Sequence, residues 1–265
     1  MTEIRREERK TGECCCEPVA PKAGYFRSGC MICGKPLDYE LTLQKKRCVL
    51  CGQIFEASCA CVDGHFVCDD CHRAGTEEYF LPLLLESSEK DPLQLLEKLM
   101  DLPQVHMHGP EHHALVPCVL LAAYRNNGGE IELESALREA LRRAKQVPGG
   151  SCGYWGVCGA AAGAGIYLSI LLGSNPLHKE AWPFPQRLTA ECLNANAELG
   201  GPRCCKRTSR IAILKAAETT EELLGIPMPT GQAVCRYYPQ NRECLYRNCP
   251  FFPKEGDASR QGHFK

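Results

Sequence analysis

The stretch EHHALVPCVLLAAYRNNGGEIELESALREALRRAKQVPGG (111–150) contains two segments with helical periodicity. The first, 111–127, is largely apolar and ends at a Gly-Gly pair. The second, 132–146, stops before a Pro-Gly-Gly sequence, and its leucines lie four residues apart on one helix face: Leu133, Leu137 and Leu141. Short connections of this kind favour antiparallel packing of consecutive helices. The stretch therefore predicts a helical bundle.

The same periodicity predicts helices on both sides of this stretch. Residues 77–102 carry apolar side chains at helical spacing, and Pro82 and Pro92 are expected to divide them into two short helices. Further helices are expected at 156–173, 185–199 and 207–225. The predicted fold class is mainly α, with a zinc-ribbon-like Cys module before the antiparallel bundle and a Cys/Pro-rich segment after it.

Four regions follow from the changes in composition along the chain. We expect a charged, flexible arm at 1–24 and a Cys-rich zinc-binding module with little apolar content at 25–75. The helical domain, with metal or redox character, is expected at 76–225. The tail at 226–265 is rich in Cys and Pro, irregular, and ends in a polar stretch expected to be disordered.

Composition narrows the classes of function. The chain has 265 residues and a net charge of −1, so a general attraction for nucleic acid or for an acidic membrane is not expected. Its first residues, MTEIRREERK, lack the apolar stretch of a signal peptide, and the longest apolar run, 159–173, is too short to span a bilayer. We therefore expect a cytoplasmic protein. Its 20 cysteines, grouped beside histidines, then indicate metal ligation rather than disulfides.

The segment CMICGKPLDYELTLQKKRCVLCG (30–52) carries two Cys-x-x-Cys pairs, each followed by glycine. Two such turns are the usual ligand arrangement of tetrahedral zinc. The segment CACVDGHFVCDDCH (59–72) adds ligands for a second site. The predicted ligands of the Cys module are Cys30, Cys33, Cys48, Cys51, Cys59, Cys61, His65, Cys68, Cys71 and His72.

The spacing leaves the ligand pairing open. The two Cys-x-x-Cys pairs could close one site, or the first pair could share a metal with the third in a cross-braced arrangement. In either case the segment has so little apolar content that metal binding must supply most of its folding free energy.

A second cluster is expected at one end of the bundle. Its histidines stand at the start of the helix at 111–127: His106, His108, His112 and His113. Its cysteines stand at the starts of the helices at 156–173 and 207–225: Cys152, Cys158, Cys204 and Cys205. In an antiparallel bundle these three helix N-termini share one end, and their positive ends favour thiolates and anionic ligands. We predict catalytic roles here for Cys158, His108 and Cys204.

The segment CRYYPQNRECLYRNCPFFP (235–253) supplies three more candidate cofactor ligands, Cys235, Cys244 and Cys249. Closely spaced cysteines of which the last precedes proline are typical of iron–sulfur segments, although this spacing is not that of a standard ferredoxin. Three thiolates would leave one iron open to a substrate. Zinc and an iron–sulfur cluster are thus the cofactors expected.

These motifs together, over about 28–253, resemble an uncharacterised Cys/His-rich family of anaerobic bacteria and methanogenic archaea. The resemblance assigns no catalytic residue, and some members are labelled SAM-dependent methyltransferases. More distantly, CGAAAGAG (158–165) followed by Cys204-Cys205 resembles small helical proteins with a Cys-Gly-Ala-Ala-x-x-Gly motif, which are considered redox-active or cluster-binding. The glycine run follows no β-branched strand, so its pattern favours close helix packing over a cofactor loop.

Three hypotheses for the function remain. The first is a metalloenzyme acting on a small anionic or sulfur-containing substrate at the Cys/His end of the bundle. The second is a non-catalytic metal or iron–sulfur carrier, sensor or electron-transfer protein with a redox or cluster partner protein. The third is the methyltransferase of the family label. The substrate and the oligomeric state stay open.

Overall fold

Residues 27–254 are described by a computed structural model of the chain. The predicted arm at 1–24 and the end of the tail lie outside the described residues. The secondary structure, in chain order, is β1 Leu37–Arg47, β2 Ile54–Cys61, α1 Asp69–Arg73, α2 Thr76–Glu86, α3 Pro92–Met100, α4 Glu111–Asn126, α5 Leu133–Ala144, α6 Ser151–Tyr154, α7 Gly159–Leu171, α8 Pro183–Leu199 and α9 Cys205–Leu224. Two short 3₁₀ turns follow, Tyr238–Gln240 and Tyr246–Asn248. The predicted mainly α fold is confirmed.

The Cys module is built on an antiparallel hairpin. β1 and β2 pair from Leu37 opposite Cys61 to Arg47 opposite Ile54, with an irregularity in the register between Tyr39 and Gln44. Turns that carry cysteines positioned to hold a metal ion precede and follow the strands, which fits a zinc-ribbon-like module.

Pro82 does not divide the helix that follows the module, contrary to the prediction. α2 continues through Pro82, and Phe80 and Leu84, one turn apart, are fully buried. Their packing outweighs the hydrogen bond that proline cannot donate. The break falls at Pro92, in the first turn of α3, where the side chain of Asp91 accepts hydrogen bonds from two backbone N–H groups at 2.7 and 3.2 Å.

The bundle is organised around α4, whose residues 111–123 are all buried. It packs against α2, α3, α5, α7 and α9. The contact with α7 is especially close: a Cβ atom at Gly163 would lie 2.9 Å from the carbonyl oxygen of His113 and 2.9 Å from Cδ of Pro117. The Gly/Ala run of α7 thus allows close helix packing, as its sequence indicates. No helix in the described range is long and apolar enough to cross a membrane.

The chain after α9 returns across the bundle as an irregular segment. The Tyr237 hydroxyl donates to Asp101 Oδ1 at 2.7 Å, and the Gly231 N–H donates to Asp91 Oδ2 at 2.7 Å. The backbone of Cys235 is held by Phe251, whose carbonyl accepts its N–H at 2.6 Å. These bonds place the three C-terminal cysteines next to the start of α9.

Candidate metal and cysteine sites

The first ligand group of the Cys module contains Cys30, Cys33, Cys61 and His65, whose ligand atoms all lie within 4.8 Å of one another. The sulfur atoms of Cys33 and Cys61 are 3.8 Å apart, and Nδ1 of His65 lies 3.4 Å from Cys61 Sγ. Burial raises the pKa of the Cys61 thiol, but hydrogen bonds from backbone N–H groups prevail and lower it to about 7. The group is positioned to hold a metal ion.

The second ligand group contains Cys48, Cys51, Cys68 and Cys71, also within 4.8 Å. Cys51 and Cys68 have sulfur atoms 3.9 Å apart, and the Cys68 N–H donates to Cys48 Sγ at 3.4 Å. Burial raises the pKa of Cys48, yet the surrounding backbone N–H groups bring it down to about 7. A thiol of this pKa readily supplies the thiolate that a metal ion binds.

The two groups are interleaved along the chain. Ligands of the first precede and follow the Cys48–Cys51 pair, so the structure agrees with the cross-braced alternative and not with one site built from both Cys-x-x-Cys pairs. Two residues expected in the module lie in neither group. Cys59 is placed beside Tyr39 and Arg203, and His72 joins a third group.

The third ligand group unites His72 of α1 with His106 and Glu111 at the start of α4. Nδ1 of His72 lies 3.1 Å from Glu111 Oε2, and Nδ1 of His106 lies 3.7 Å from Glu111 Oε1. Glu111 was not singled out in the sequence, because a glutamate in the first turn of a helix is common. Its complete burial is what distinguishes it.

The other histidines of the predicted cluster have separate partners. His108 Nε2 lies 3.1 Å from Asn241 Oδ1 and 3.2 Å from Glu243 Oε2. His112 Nδ1 lies 3.2 Å from the Gly109 carbonyl, and His113 Nδ1 lies 3.0 Å from that of Val147. Within 27–254 these three histidines belong to no group whose ligand atoms lie within 4.8 Å.

The N-termini of α4, α7 and α9 do meet at one end of the bundle. The Cys205 N–H donates to His108 Nδ1 at 3.5 Å, and the His113 ring lies directly against Gly159. Cys158 lies near both Cys152 and Cys205. These three residues are called here the helix-end thiols.

Burial reverses the effect expected of the helix N-termini on these thiols. It raises the pKa of Cys205 to about 12 and also raises the pKa of the preceding residue, Cys204. In each case burial is the largest influence, and the positive helix end does not overcome it.

A narrow cavity, called here the cysteine cavity, is lined by four thiols: Cys204, Cys235, Cys244 and Cys249. It has room for about one water molecule. Its lining includes three cationic side chains that sequence reasoning did not assign, Lys206, Arg207 and Arg210. Their spacing along α9 gives no such signal, because three charges within five residues of a helix usually face solvent. Here all three are buried.

Residues 81–252 match the family of unknown function DUF5714. The chain belongs to this family. No curated protein and no solved structure matches the chain. The DUF5714 match includes the bundle and the cysteine cavity but begins after the two ligand groups of the Cys module. His106 and Glu111 of the third ligand group lie within the match, and His72 lies outside it.

Proposed function

We propose that this DUF5714 protein is an iron–sulfur metalloenzyme. The four thiols that line the cysteine cavity would ligate the cluster, for which the cavity must widen beyond its present room for about one water molecule. The helix-end thiols would receive a small anionic or sulfur-containing substrate. The observation that carries the proposal is the convergence of Cys204 with three cysteines that lie 31 to 45 positions later in the chain on one narrow cavity. Four cysteine thiolates are the usual ligand set of a cubane cluster.

The charges around the cavity fit an anionic occupant. Lys206 Nζ donates to the Met100 carbonyl at 3.3 Å and lies 4.8 Å from the centre of the Tyr237 ring. Arg207 donates to backbone carbonyls at 2.9 and 3.0 Å. The hydrogen-bond partners of Arg207 are thus carbonyls and not a carboxylate, whereas Arg210 is paired with Glu97 and Lys206 interacts with the charge of Glu111. A buried cation without a carboxylate favours a negatively charged ligand beside it.

The spacing of the thiols distinguishes this cavity from the Cys module. Among the described residues, the four thiols of the cavity do not form a group within 4.8 Å, as the module ligands do. Thiolates that bind separate irons of one cluster are farther apart than thiolates that share a single ion. The wider spacing therefore supports a cluster over a second structural zinc.

The substrate side is assigned to the helix-end thiols. Cys204 faces the cavity, while the next residue, Cys205, lies near Cys158 and Arg203. The guanidinium of Arg203 lies over the ring of Tyr39 in a cation–π contact. It also adds positive charge near Cys152, which is exposed. An iron–sulfur cluster supplies single electrons. Because Cys204 would ligate the cluster and Cys205 lies near Arg203, a cluster would stand close to an anion bound by Arg203.

A carrier or electron-transfer protein is the second candidate. The observation that favours it is the small size of the cysteine cavity, which offers no pocket for a substrate. The methyltransferase hypothesis gains no support from this region, because the helical turn α6 and the linking residues 155–158 precede Gly159. The described residues contain one sheet, the hairpin of the Cys module, so no strand leads directly into the glycine run.

Iron and sulfide analysis of the full chain, purified and reconstituted without oxygen, tests the cluster. We expect bound iron and inorganic sulfide with a visible thiolate-to-iron absorbance. Cys249→Ser should lose most of that absorbance, and Cys192→Ala, a core cysteine outside the cavity, should keep it. A wild-type chain that binds zinc but neither iron nor sulfide would contradict the proposal.

Sulfite separates the enzyme from the carrier. If the helix-end thiols receive an anion, sulfite should alter the electron paramagnetic resonance spectrum of the reduced wild-type protein. It should not alter the spectrum of Arg203→Ala at the same iron content. An unchanged wild-type spectrum would leave the carrier as the better account.

A further inference from the structure

We propose that His72, His106 and Glu111 form a third, mononuclear metal site at the junction of the Cys module and the bundle. The ligand set is two imidazoles and one carboxylate, and all three ligand atoms lie within 4.8 Å of one another. Such a set is suited to Zn²⁺ or Fe²⁺ and leaves at least one coordination position for water or another small ligand. The two ligand groups of the module, in contrast, are complete with four.

The carboxylate of Glu111 is placed so that each oxygen faces a different imidazole. Oε2 lies 3.1 Å from Nδ1 of His72, and Oε1 lies 3.7 Å from Nδ1 of His106. The two rings stand edge to face with their centres 4.6 Å apart. The Oε1 atom also accepts the backbone N–H of His106 at 2.9 Å, which fixes the carboxylate in this orientation.

An unsatisfied ring nitrogen points independently to a missing ligand. Nδ1 of His106 is buried and has no hydrogen-bond partner. Water cannot readily satisfy it, because the His106 side chain is only 6% exposed and the Glu111 side chain 0% exposed. A buried polar atom without a partner costs about 1–3 kcal/mol. A metal ion between the two imidazoles and the carboxylate would bind this nitrogen and the negative charge together.

A simple ion pair accounts for the arrangement less well. A proton on His72 would satisfy Oε2 and would leave the His106 nitrogen unpaired. A metal ion, in contrast, would offset the buried negative charge of Glu111 and would also bind the His106 nitrogen.

The backbone beside the group is shaped to let these side chains approach. A Cβ atom at Gly109 would overlap both the Glu111 carboxylate and the His72 ring. Glycine at this position is therefore a steric requirement of the group. The side chain of His72 is 20% exposed, more than either of the other two, so the open coordination position would lie on the His72 side.

Metal counting in the full chain tests the site. Wild type, Glu111→Gln and the control Glu134→Gln, an exposed helical glutamate paired with Arg138, are purified without oxygen and loaded with zinc. We expect Glu111→Gln to hold one zinc ion fewer per chain than wild type and the control to hold the same number. Equal zinc content in Glu111→Gln, with helicity unchanged by circular dichroism, would overturn the proposal.

A measurement on the wild-type chain decides the question even if Glu111→Gln does not fold. NMR spectra of the histidine ring nitrogens are recorded while zinc is added beyond the amount that fills the first and second ligand groups of the Cys module. The signals of His72 and His106 should shift, and those of His178, which belongs to none of the ligand groups, should not. Unchanged His72 and His106 signals would overturn the site. The readout is independent of iron and sulfide, so it does not depend on the cysteine cavity.

Discussion

The Cys module and the helical bundle bury different kinds of side chain. In the module, leucine and isoleucine side chains lie on the surface, with Leu41 99% and Ile54 56% exposed, while cysteines such as Cys48 are buried. In the bundle, leucines of α3 and α4 such as Leu96 and Leu120 are completely buried. One region is therefore held together around its ligands, and the other by apolar packing.

This difference implies two different sources of folding free energy. Structural zinc contributes about 10–16 kcal/mol to small metal-dependent folds at neutral pH. A bundle depends on many buried apolar side chains, each of which contributes about 1.5–3 kcal/mol. The module should therefore lose its fold in one step with its metal, whereas the bundle should respond gradually to single substitutions.

The largest expected effect is the loss of the module without its ligands. Cys33→Ser combined with Cys51→Ser removes one thiolate from each four-ligand group. We expect residues 28–75 to unfold and the helices to remain, because the apolar core lies outside the module. Hydrogen exchange should show rapid exchange in β1 and β2 and protection in α4.

Cys59→Ser is the matched control, since Cys59 lies in β2 but in neither ligand group. It should retain the hairpin protection. Protection of β1 and β2 that survives in the double variant would mean that packing, and not metal, holds the module.

The organisation into helices was accessible from the sequence, but the sites were accessible only in part. The boundaries of α4 and α5 follow from apolar periodicity and from Gly and Pro signals, which act locally. Pro82 misled the prediction, because the burial of Phe80 and Leu84 depends on neighbouring helices. Local sequence carries no direct record of such packing.

The ligand sets show the same limit. The residue types and the Cys-x-x-Cys spacing indicate zinc, but which pairs share an ion depends on how β1 and β2 fold back. Glu111 is an ordinary glutamate in the sequence and a buried ligand candidate in the structure. The cysteine cavity likewise requires the C-terminal segment to cross α9, which no local pattern encodes.

A smaller effect is expected from a single change inside the bundle. Arg210 of α9, 1% exposed, is paired with Glu97 of α3 through two hydrogen bonds of 2.6 and 2.9 Å. Removing the carboxylate leaves a buried guanidinium unpaired, which costs about 3–5 kcal/mol. Chemical denaturation of Glu97→Ala should therefore show this loss in the bundle, with zinc content unchanged.

The neighbouring residue gives the control. Lys98 is 62% exposed and pairs with Glu89 on the surface. Surface pairs contribute about 0–1 kcal/mol. Lys98→Ala should therefore stay close to wild type. An equal loss of stability in both variants would contradict the view that burial gives the Glu97–Arg210 pair its importance.

The smallest effect tests whether the two regions are stabilised separately. The Tyr154 hydroxyl of α6 donates to the Glu40 carbonyl of β1 at 2.9 Å and thus joins bundle to module. The ring is 43% exposed, so the loss of this bond in Tyr154→Phe should cost only about 0.5 kcal/mol. If the regions fold on separate energy sources, faster hydrogen exchange should be confined to β1 and β2. An equal increase of the hydrogen-exchange rate in α4 and α7 would show that the hairpin and the core unfold as one cooperative unit. The two regions would then differ in the kinds of residue they bury but not in how they are stabilised.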